Sequence, residues 1–205
     1  MSAPDFSSRS PLLELMDADD AAPLELDETF RELGLINRAL GGHAATLSAL
    51  EALTPPGTRT LKILDVGCGD GEAASVMLDW ARSRGIQAEV HGIDLSAPSV
   101  ALAGRRRREG LSFAQADLFA LDDARSYDIV HAGLLLHHCP GELAVRALKA
   151  MHARARLGVA INDLHRHPFA YHAIKALTAA FSRNRLIRHD APLSVLRGFN
   201  RRELE

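Results

Sequence analysis

The chain has 205 residues and a formal net charge of -2, which argues against broad electrostatic binding to nucleic acid. Hydrophobic residues make up 47% and charged residues 24%, as in ordinary soluble globular proteins, and no apolar run approaches the ~20 residues that span a bilayer. This length suits one α/β domain with a full core, and without a long apolar run no membrane insertion is expected.

The ends of the chain and its cysteines bear on where the protein works. Residues 1–20 lack the basic and then apolar layout of a secretion signal, so we expect a cytoplasmic protein. The two cysteines, Cys68 and Cys139, lie far apart without metal-type spacing, which fits free thiols in a reducing compartment.

In chain order, residues 1–27 are expected to be a mobile N-terminal segment. Residues 28–57 read as two amphipathic helices broken at Gly41-Gly42, followed by the linker Pro55-Pro56-Gly57. Residues 58–205 then form one globular unit with these helices.

From residue 61 onward, short β-branched runs alternate with helical stretches, the pattern of a parallel sheet with crossover helices. The third helix is expected to end at Gly85, and Ser96 caps a helix that Gly110 closes, after the run Arg105 to Arg108. Pro140 and Pro168 open two later helices, and the second helix is expected to bury Phe169, Ile174, Leu177 and Phe181.

The predicted strands are Leu61–Val66, Ala88–Asp94, Leu111–Ala116, Tyr127–Ala132 and Leu157–Asn162.

The stretch Leu64 to Gly71 places a glycine turn between a buried strand and a helix. Its spacing is G-x-G-x-G, and Glu72 stands where a dinucleotide fingerprint would need a third glycine. Asp65, Asp70 and Glu72 would repel a pyrophosphate but suit a sulfonium and an α-ammonium group. The alternative is that the acids cap the helix and the glycines serve only a tight turn.

The next two strands also end in acids. Asp94 closes the second strand and could accept hydrogen bonds from both hydroxyls of a ribose, or instead cap the next helix, a role for which Ser96 competes. Asp117 follows the third strand and could meet an adenine amino group, with Leu118 lining the ring pocket.

Taken together, the motifs resemble class I S-adenosylmethionine-dependent methyltransferases, in particular bacterial small-molecule enzymes of the ubiquinone- and menaquinone-biosynthesis type. The resemblance covers about residues 60–165 and includes Tyr127-Asp128-Ile129-Val130 followed by Leu136-His137-His138; the helices around Leu35 to His43 look like the lid of that subgroup. It implies a Rossmann-like, doubly wound, mostly parallel sheet of order 3-2-1-4-5, with S-adenosylmethionine as cofactor and S-adenosylhomocysteine as product. The resemblance implies that the glycines face the methionine part, Asp94 the ribose and Asp117 with Leu118 the adenine; the full expected cofactor set is Asp65, Gly67, Cys68, Gly69, Gly71, Asp94, Leu95, Asp117 and Leu118.

Methyl transfer needs a close, dry approach of the acceptor rather than a signature nucleophile, although a histidine base helps a hydroxyl acceptor. The candidates are His137, His165 and His167, with pocket shaping or helix capping as the alternatives. No metal site is expected, because His137, His138 and Cys139 are adjacent and strained for one ion, while His165, His167 and Asp163 offer only a weak set.

Two features depart from the family. Arg154-Ala155-Arg156-Leu157-Gly158 replaces the usual Gly-Gly turn before the fifth strand, and no convincing sixth and seventh strands follow. We expect the exposed edge of the fifth strand to be covered either by the C-terminal helices or by a second subunit, and the second alternative would make the protein a homodimer.

The leading hypothesis is methyl transfer to oxygen or carbon of a small aromatic, quinone-like or polyketide-like acceptor. The alternatives are an NAD(P)-dependent oxidoreductase and a catalytically inactive S-adenosylmethionine-binding protein. Neither nucleic acid nor a membrane is expected as a partner.

Overall fold

The computed structural model describes residues 4–17, 23–121 and 126–204. Its sheet has five parallel strands in the order 3-2-1-4-5, as the sequence predicts. The strands are β1 (Thr60–Val66), β2 (Gln87–Asp94), β3 (Leu111–Gln115), β4 (Tyr127–Gly133) and β5 (Ala155–Asn162). The helices are α1 (Pro23–Ala39), α2 (Gly42–Leu53), α3 (Glu72–Ser83), α4 (Ala97–Gly104), α5 (Glu142–Arg154), α6 (Pro168–Phe181), α7 (Arg185–Arg197) and α8 (Arg201–Leu204).

Helices cover both faces of the sheet, which explains why the central strands are apolar on both sides. In β1, Ile63 packs into a cluster with Leu50 of α2 and Met77 of α3, whereas its neighbour Leu64 packs into a second cluster with Met151 of α5. Successive side chains of a strand point to opposite faces, so β1 anchors two separate layers. Because all strands run the same way, their carboxyl ends meet at one edge, where the glycine turn begins.

The two N-terminal helices break where the sequence predicts. Gly41 has φ 80, a left-handed conformation in which glycine is unstrained, and α2 begins at the next residue. Among the described residues, every helix is too short or too polar to cross a bilayer.

Two helix expectations need correction. The helix capped by Ser96 ends at Gly104 rather than Gly110, because the chain turns there to begin β3, and Arg105–Arg108 lie in that turn. Phe169 and Phe181 are 77% and 84% exposed, since α6 packs against α7 rather than against the sheet and buries only a narrow stripe.

Helix α7 lies where the sequence signals are weak, and Pro192 stands inside it. Its start is set by Asn184, whose side chain accepts hydrogen bonds from the backbone N–H of Leu186 and Ile187. Leu186 and Ile187 are fully buried. Tertiary packing therefore outweighs the weak local signal.

The described part of the N-terminal segment contacts distant parts of the chain. Arg9 donates hydrogen bonds to the carbonyls of Cys139 and Arg197, and Asp190 accepts from the backbone N–H of Leu15 and Met16. Residues 9–16 thus pack against the loop after β4 and against α7, and α1 begins inside the same range, at Pro23. Residues 1–3 and 18–22 lie outside the described residues.

Candidate functional site

The glycine turn occupies the carboxyl edge between β1 and β2. Gly67, Gly69 and Gly71 have φ of 69, 53 and 77 degrees, a region that side chains rarely adopt. A Cβ on Gly67 would lie 2.7 Å from Leu135 and one on Gly71 would lie 2.5 Å from Phe113. Both conformation and packing therefore require glycine at these positions. We refer to this edge, between the carboxyl ends of β1 and β2, as the hollow.

Asp94 links the tip of β2 to this turn. One carboxylate oxygen accepts from the backbone N–H of Gly69 and the other from that of Ser96, each at 2.9 Å. Ser96 itself caps α4 by accepting from Ser99, as predicted. Because each carboxylate oxygen has a further lone pair, Asp94 can hold the turn and still accept from a ligand hydroxyl.

The third acid stands at the same edge but is engaged locally. Asp117 is exposed and caps the short 3-10 helix Leu118–Ala120 by accepting from Phe119 at 2.9 Å. Leu118 is buried, whereas Leu95 is 69% exposed. Asp117 thus caps this short helix in the structure, whereas Asp94 holds the glycine turn itself.

Asp65 belongs to a buried network that the sequence did not reveal. Its Oδ1 lies 2.7 Å from Nδ1 of His131, whose Nε2 lies 3.2 Å from the hydroxyl of Thr46 on α2. Asn162 donates to the same hydroxyl and to the Gly42 carbonyl, which ties the lid helix to the ends of β1, β4 and β5. The sequence predicts His131 only as a residue of the fourth strand. A histidine within an otherwise largely apolar strand is the feature that could have indicated a buried polar partner.

The second oxygen of Asp65 and the thiol of Cys68 are both buried near the glycine turn, and Cys68 packs into the core cluster that contains Ile63. Asp65 Oδ2 is buried and finds no hydrogen-bond donor among the described residues. Burial, followed by the nearby charges of Asp65 and Asp94, raises the pKa of the Cys68 thiol. The thiol is therefore neutral at physiological pH and unsuited to nucleophilic chemistry.

Helices α1 and α2 lie over the turn as a lid. Arg38 pairs with Glu72, and His43 Nε2 lies 3.5 Å from a Glu72 oxygen. Asp70 pairs with Arg106 at 2.5 Å. Two of the three acids around the turn are thus balanced by guanidinium groups, so the negative character of the hollow rests on Asp65 and Asp94.

The candidate bases are not gathered in one place. His137 is buried, and its Nδ1 lies 2.7 Å from Asp163 Oδ1 while its backbone N–H donates to the same carboxylate. Burial raises the pKa of Asp163, but the hydrogen bond and charge of His137 outweigh it, so the net pKa is lowered and Asp163 stays ionised. His165 and His167 are exposed with rings 5.6 Å apart, and His167 caps α6 through Phe169.

Comparison with known proteins places this edge in context. Residues 63–158 match the family described as methyltransferase domain. The chain is 30% identical over 137 residues to trans-aconitate 2-methyltransferase of Deinococcus radiodurans, covering 67% of this chain and 50% of that protein. It is 31% identical over 97 residues to the enzyme of the same name in Methylobacterium nodulans, covering 47% of this chain and 34% of that one. The chain therefore spans half or less of the length of these curated relatives.

A solved structure extends the similarity of fold over most of the chain. The plantazolicin methyltransferase BpumL, in complex with SAH, aligns with a TM-score of 0.62 at 17% identity, covering 91% of this chain and 68% of that one. At this identity the likeness concerns the fold, which includes the five-stranded sheet and the helices around it.

Proposed function

Since the chain belongs to the class I S-adenosylmethionine-dependent methyltransferases, we propose that it transfers a methyl group from S-adenosylmethionine to oxygen or carbon of a small acceptor. The observation that carries this proposal is the arrangement of acids at the glycine turn. Asp94 accepts a hydrogen bond from the backbone N–H of Gly69, and the buried Oδ2 of Asp65 has no hydrogen-bond donor among the described residues.

The residues at this edge fit the cofactor. A main chain without Cβ atoms accommodates the methionine part, and Asp65 Oδ2 and Asp94 offer acceptors to an ammonium and to ribose hydroxyls. A buried carboxylate oxygen without a donor is costly unless a ligand supplies one. We assign cofactor contacts to Gly67, Cys68, Gly69 and Gly71 along the turn; Asp65, Asp94, Leu95, Asp117 and Leu118 complete the proposed set.

S-adenosylmethionine supplies an electrophilic methyl group on a sulfonium. The chain's contribution is to exclude water with the α1–α2 lid and to hold the acceptor in line, because proximity in a dry site provides most of the rate. Leu135 supports this arrangement, since it packs onto Gly67 from the loop after β4. Its neighbour Leu134 has φ 53, a strained conformation for leucine that directs this loop.

The acceptor is proposed to be aromatic, quinone-like or polyketide-like. It would approach over the loops after β4 and β5, where apolar side chains alternate with histidines. Support for a small acceptor also comes from the relatives, which are named for trans-aconitate, and from BpumL, named for plantazolicin. A base for a hydroxyl acceptor would come from His165, His167 or His137, of which the first two are open to solvent.

The test is transfer of radiolabel from methyl-labelled S-adenosylmethionine to a panel of phenols, quinols, polyketide-like acids and trans-aconitate. We expect label in at least one acceptor, with S-adenosylhomocysteine formed in equal amount. Replacement of His165, His167 and His137 by alanine, one at a time, should remove the lower limb of the pH–rate profile only for the residue that acts as base.

Two results would point to the alternatives. Cofactor binding without transfer to any acceptor would favour the catalytically inactive binding protein. Binding of NAD(P) without binding of S-adenosylhomocysteine would favour the oxidoreductase.

A further inference from the structure

Beyond the cofactor hollow, the structure gathers a second cluster that the sequence keeps far apart. Glu14 of the N-terminal segment lies against His137 and His138 in the short 3-10 helix Leu136–His138 after β4. His137 Nε2 is 3.6 Å from one Glu14 oxygen, and His138 Nε2 is 3.9 Å from the other. One ligand atom from each of the three residues lies within 4.8 Å of the others.

These separations are longer than hydrogen bonds and match the spacing of ligands around one ion. Two ligands that each lie ~2.1 Å from a zinc ion at tetrahedral angles are ~3.4 Å from each other. Glu14 and His137 are buried, and the His138 side chain is 26% exposed. The arrangement thus has a buried pair and a third donor that is partly exposed.

The orientation of the His137 ring supports this geometry. Asp163 Oδ1 lies 2.7 Å from Nδ1 of His137 and holds the ring with Nε2 on the side of the Glu14 carboxylate, 3.6 Å from Oε1. A carboxylate that holds the far nitrogen of an imidazole is the outer partner that metal-ligating histidines commonly have.

Arginine side chains border the cluster and fix the loop beside it. Arg197 Nε forms an ion pair with Glu14 at 3.7 Å, and the same guanidinium donates hydrogen bonds to the carbonyls of His137, His138 and Leu12. Arg9 likewise donates to the carbonyls of Leu136, His137 and Cys139. These contacts hold the loop after β4 and the Glu14 carboxylate next to each other.

We propose that Glu14, His137 and His138 bind a divalent first-row metal ion, with Zn²⁺ as the best-suited ion. Two imidazoles and one carboxylate are borderline donors of the kind such ions prefer, and they leave coordination positions open. The sequence predicted no metal site because adjacent histidines are strained for one ion. In the 3-10 helix, however, the two rings lie 4.1 Å apart, and Glu14 arrives from a distant part of the chain.

The ion would fasten residues 9–16 to the loop after β4, beside the proposed acceptor side. Metal binding to the folded chain alone would then raise its stability by mass action. This inference does not depend on the proposed function, because the three donors lie apart from the glycine turn.

The test measures metal binding to the full chain directly. Purified protein is stripped with chelator, and Zn²⁺ is titrated by calorimetry, with Co²⁺ as a visible-absorption probe of the coordination. We expect one ion per chain, a Co²⁺ spectrum of four- or five-coordinate type, and a rise in melting temperature that chelator reverses.

Matched variants identify the donors. Glu14→Gln and His138→Gln should each weaken Zn²⁺ binding at least tenfold, and His138, the most exposed ligand, is the variant least able to disturb folding. His172→Ala, an exposed histidine of α6, and the double variant His165→Ala/His167→Ala should bind Zn²⁺ as the parent does.

The proposal is overturned if no ion binds, or if binding survives in Glu14→Gln and His138→Gln, or is lost in the His165/His167 variant. Titration of the same samples with S-adenosylhomocysteine keeps the two questions separate. Cofactor binding without metal binding refutes only the metal site, and the reverse refutes only the proposed function.

Discussion

At the scale of single residues, Asp94 is the side chain on which the cofactor assignment depends most. It already accepts from Gly69 and Ser96, so its two oxygens are fixed at the tip of β2 and directed by the backbone. Preorganisation of this kind lowers the cost of binding a ligand hydroxyl, because the acceptor does not have to be ordered afresh.

We expect Asp94→Ala to weaken S-adenosylhomocysteine binding by about 1.5–3 kcal/mol, the scale of hydrogen bonds to a charged group. Calorimetry on the folded variant measures this, with Asp79→Ala as control, since Asp79 is an exposed acid of α3 that pairs with Arg108. Equal affinities of the parent and a folded Asp94→Ala protein would refute the assigned role.

A second residue-scale prediction concerns the C-terminal segment. Arg166 is buried and donates to Glu203 of α8 and to the carbonyls of Phe6 and Gly198. The hydrogen bond from Arg166 is the main reason that the pKa of Glu203 is lowered. Because the pKa of Glu203 is lower in the folded protein, its ionised carboxylate stabilises the fold at pH values above the ordinary glutamate pKa near 4.5. This stabilisation is lost as the pH falls through the pKa of the folded protein.

Glu203→Gln should therefore lower the free energy of unfolding at pH 7 by about 1 kcal/mol, a modest value because Glu203 is partly exposed. The difference from the parent should shrink toward zero as the pH falls below the ordinary carboxyl range. Urea unfolding at pH 7 and at pH 3.5 measures this, and a difference that is constant with pH would contradict it.

At the scale of elements, the sequence predicted what local chemistry determines. Alternating β-branched runs located all five strands, and glycine or serine at helix ends located α3 and the start of α4, because capping and turn geometry act within a few residues. The sequence did not predict helix α7 or which side of α6 faces solvent. Both depend on packing against residues that are distant in the sequence.

The same distinction applies to the candidate site. The glycine turn and Asp94 were predictable because both follow directly from strand ends. The contacts of Glu14 with His137 and of Asp65 with His131 could not be predicted. Each contact joins residues of different elements, so no local sequence pattern indicates it.

The glycine turn itself provides an element-scale prediction. Gly71→Ala should destabilise the fold by about 2–4 kcal/mol, because the new Cβ meets Phe113 at 2.5 Å and the residue has a φ of 77 degrees. Gly85→Ala is the matched control: it has φ 70 with nothing within 4 Å, so it should cost only about 1–2 kcal/mol. Chemical denaturation compares the two, and equal losses would show that packing at the turn contributes nothing.

At the scale of the whole molecule, the fold brings three parts of the chain to one edge of the sheet. The helices α1 and α2, the glycine turn and the loop after β4 all meet there, while β5 is one of the two outer strands, with Leu157 40% exposed. A second subunit at this strand remains our proposal for a homodimer, since an edge strand offers unpaired backbone groups to another chain.

The central claim is that the hollow between β1 and β2 receives a sulfonium cofactor rather than a dinucleotide. Calorimetric titration of the chain with S-adenosylhomocysteine and, separately, with NAD tests it most directly. We predict that S-adenosylhomocysteine binds with a stoichiometry of one and that NAD produces no heat of binding. Tight binding of NAD with no response to S-adenosylhomocysteine would contradict the account.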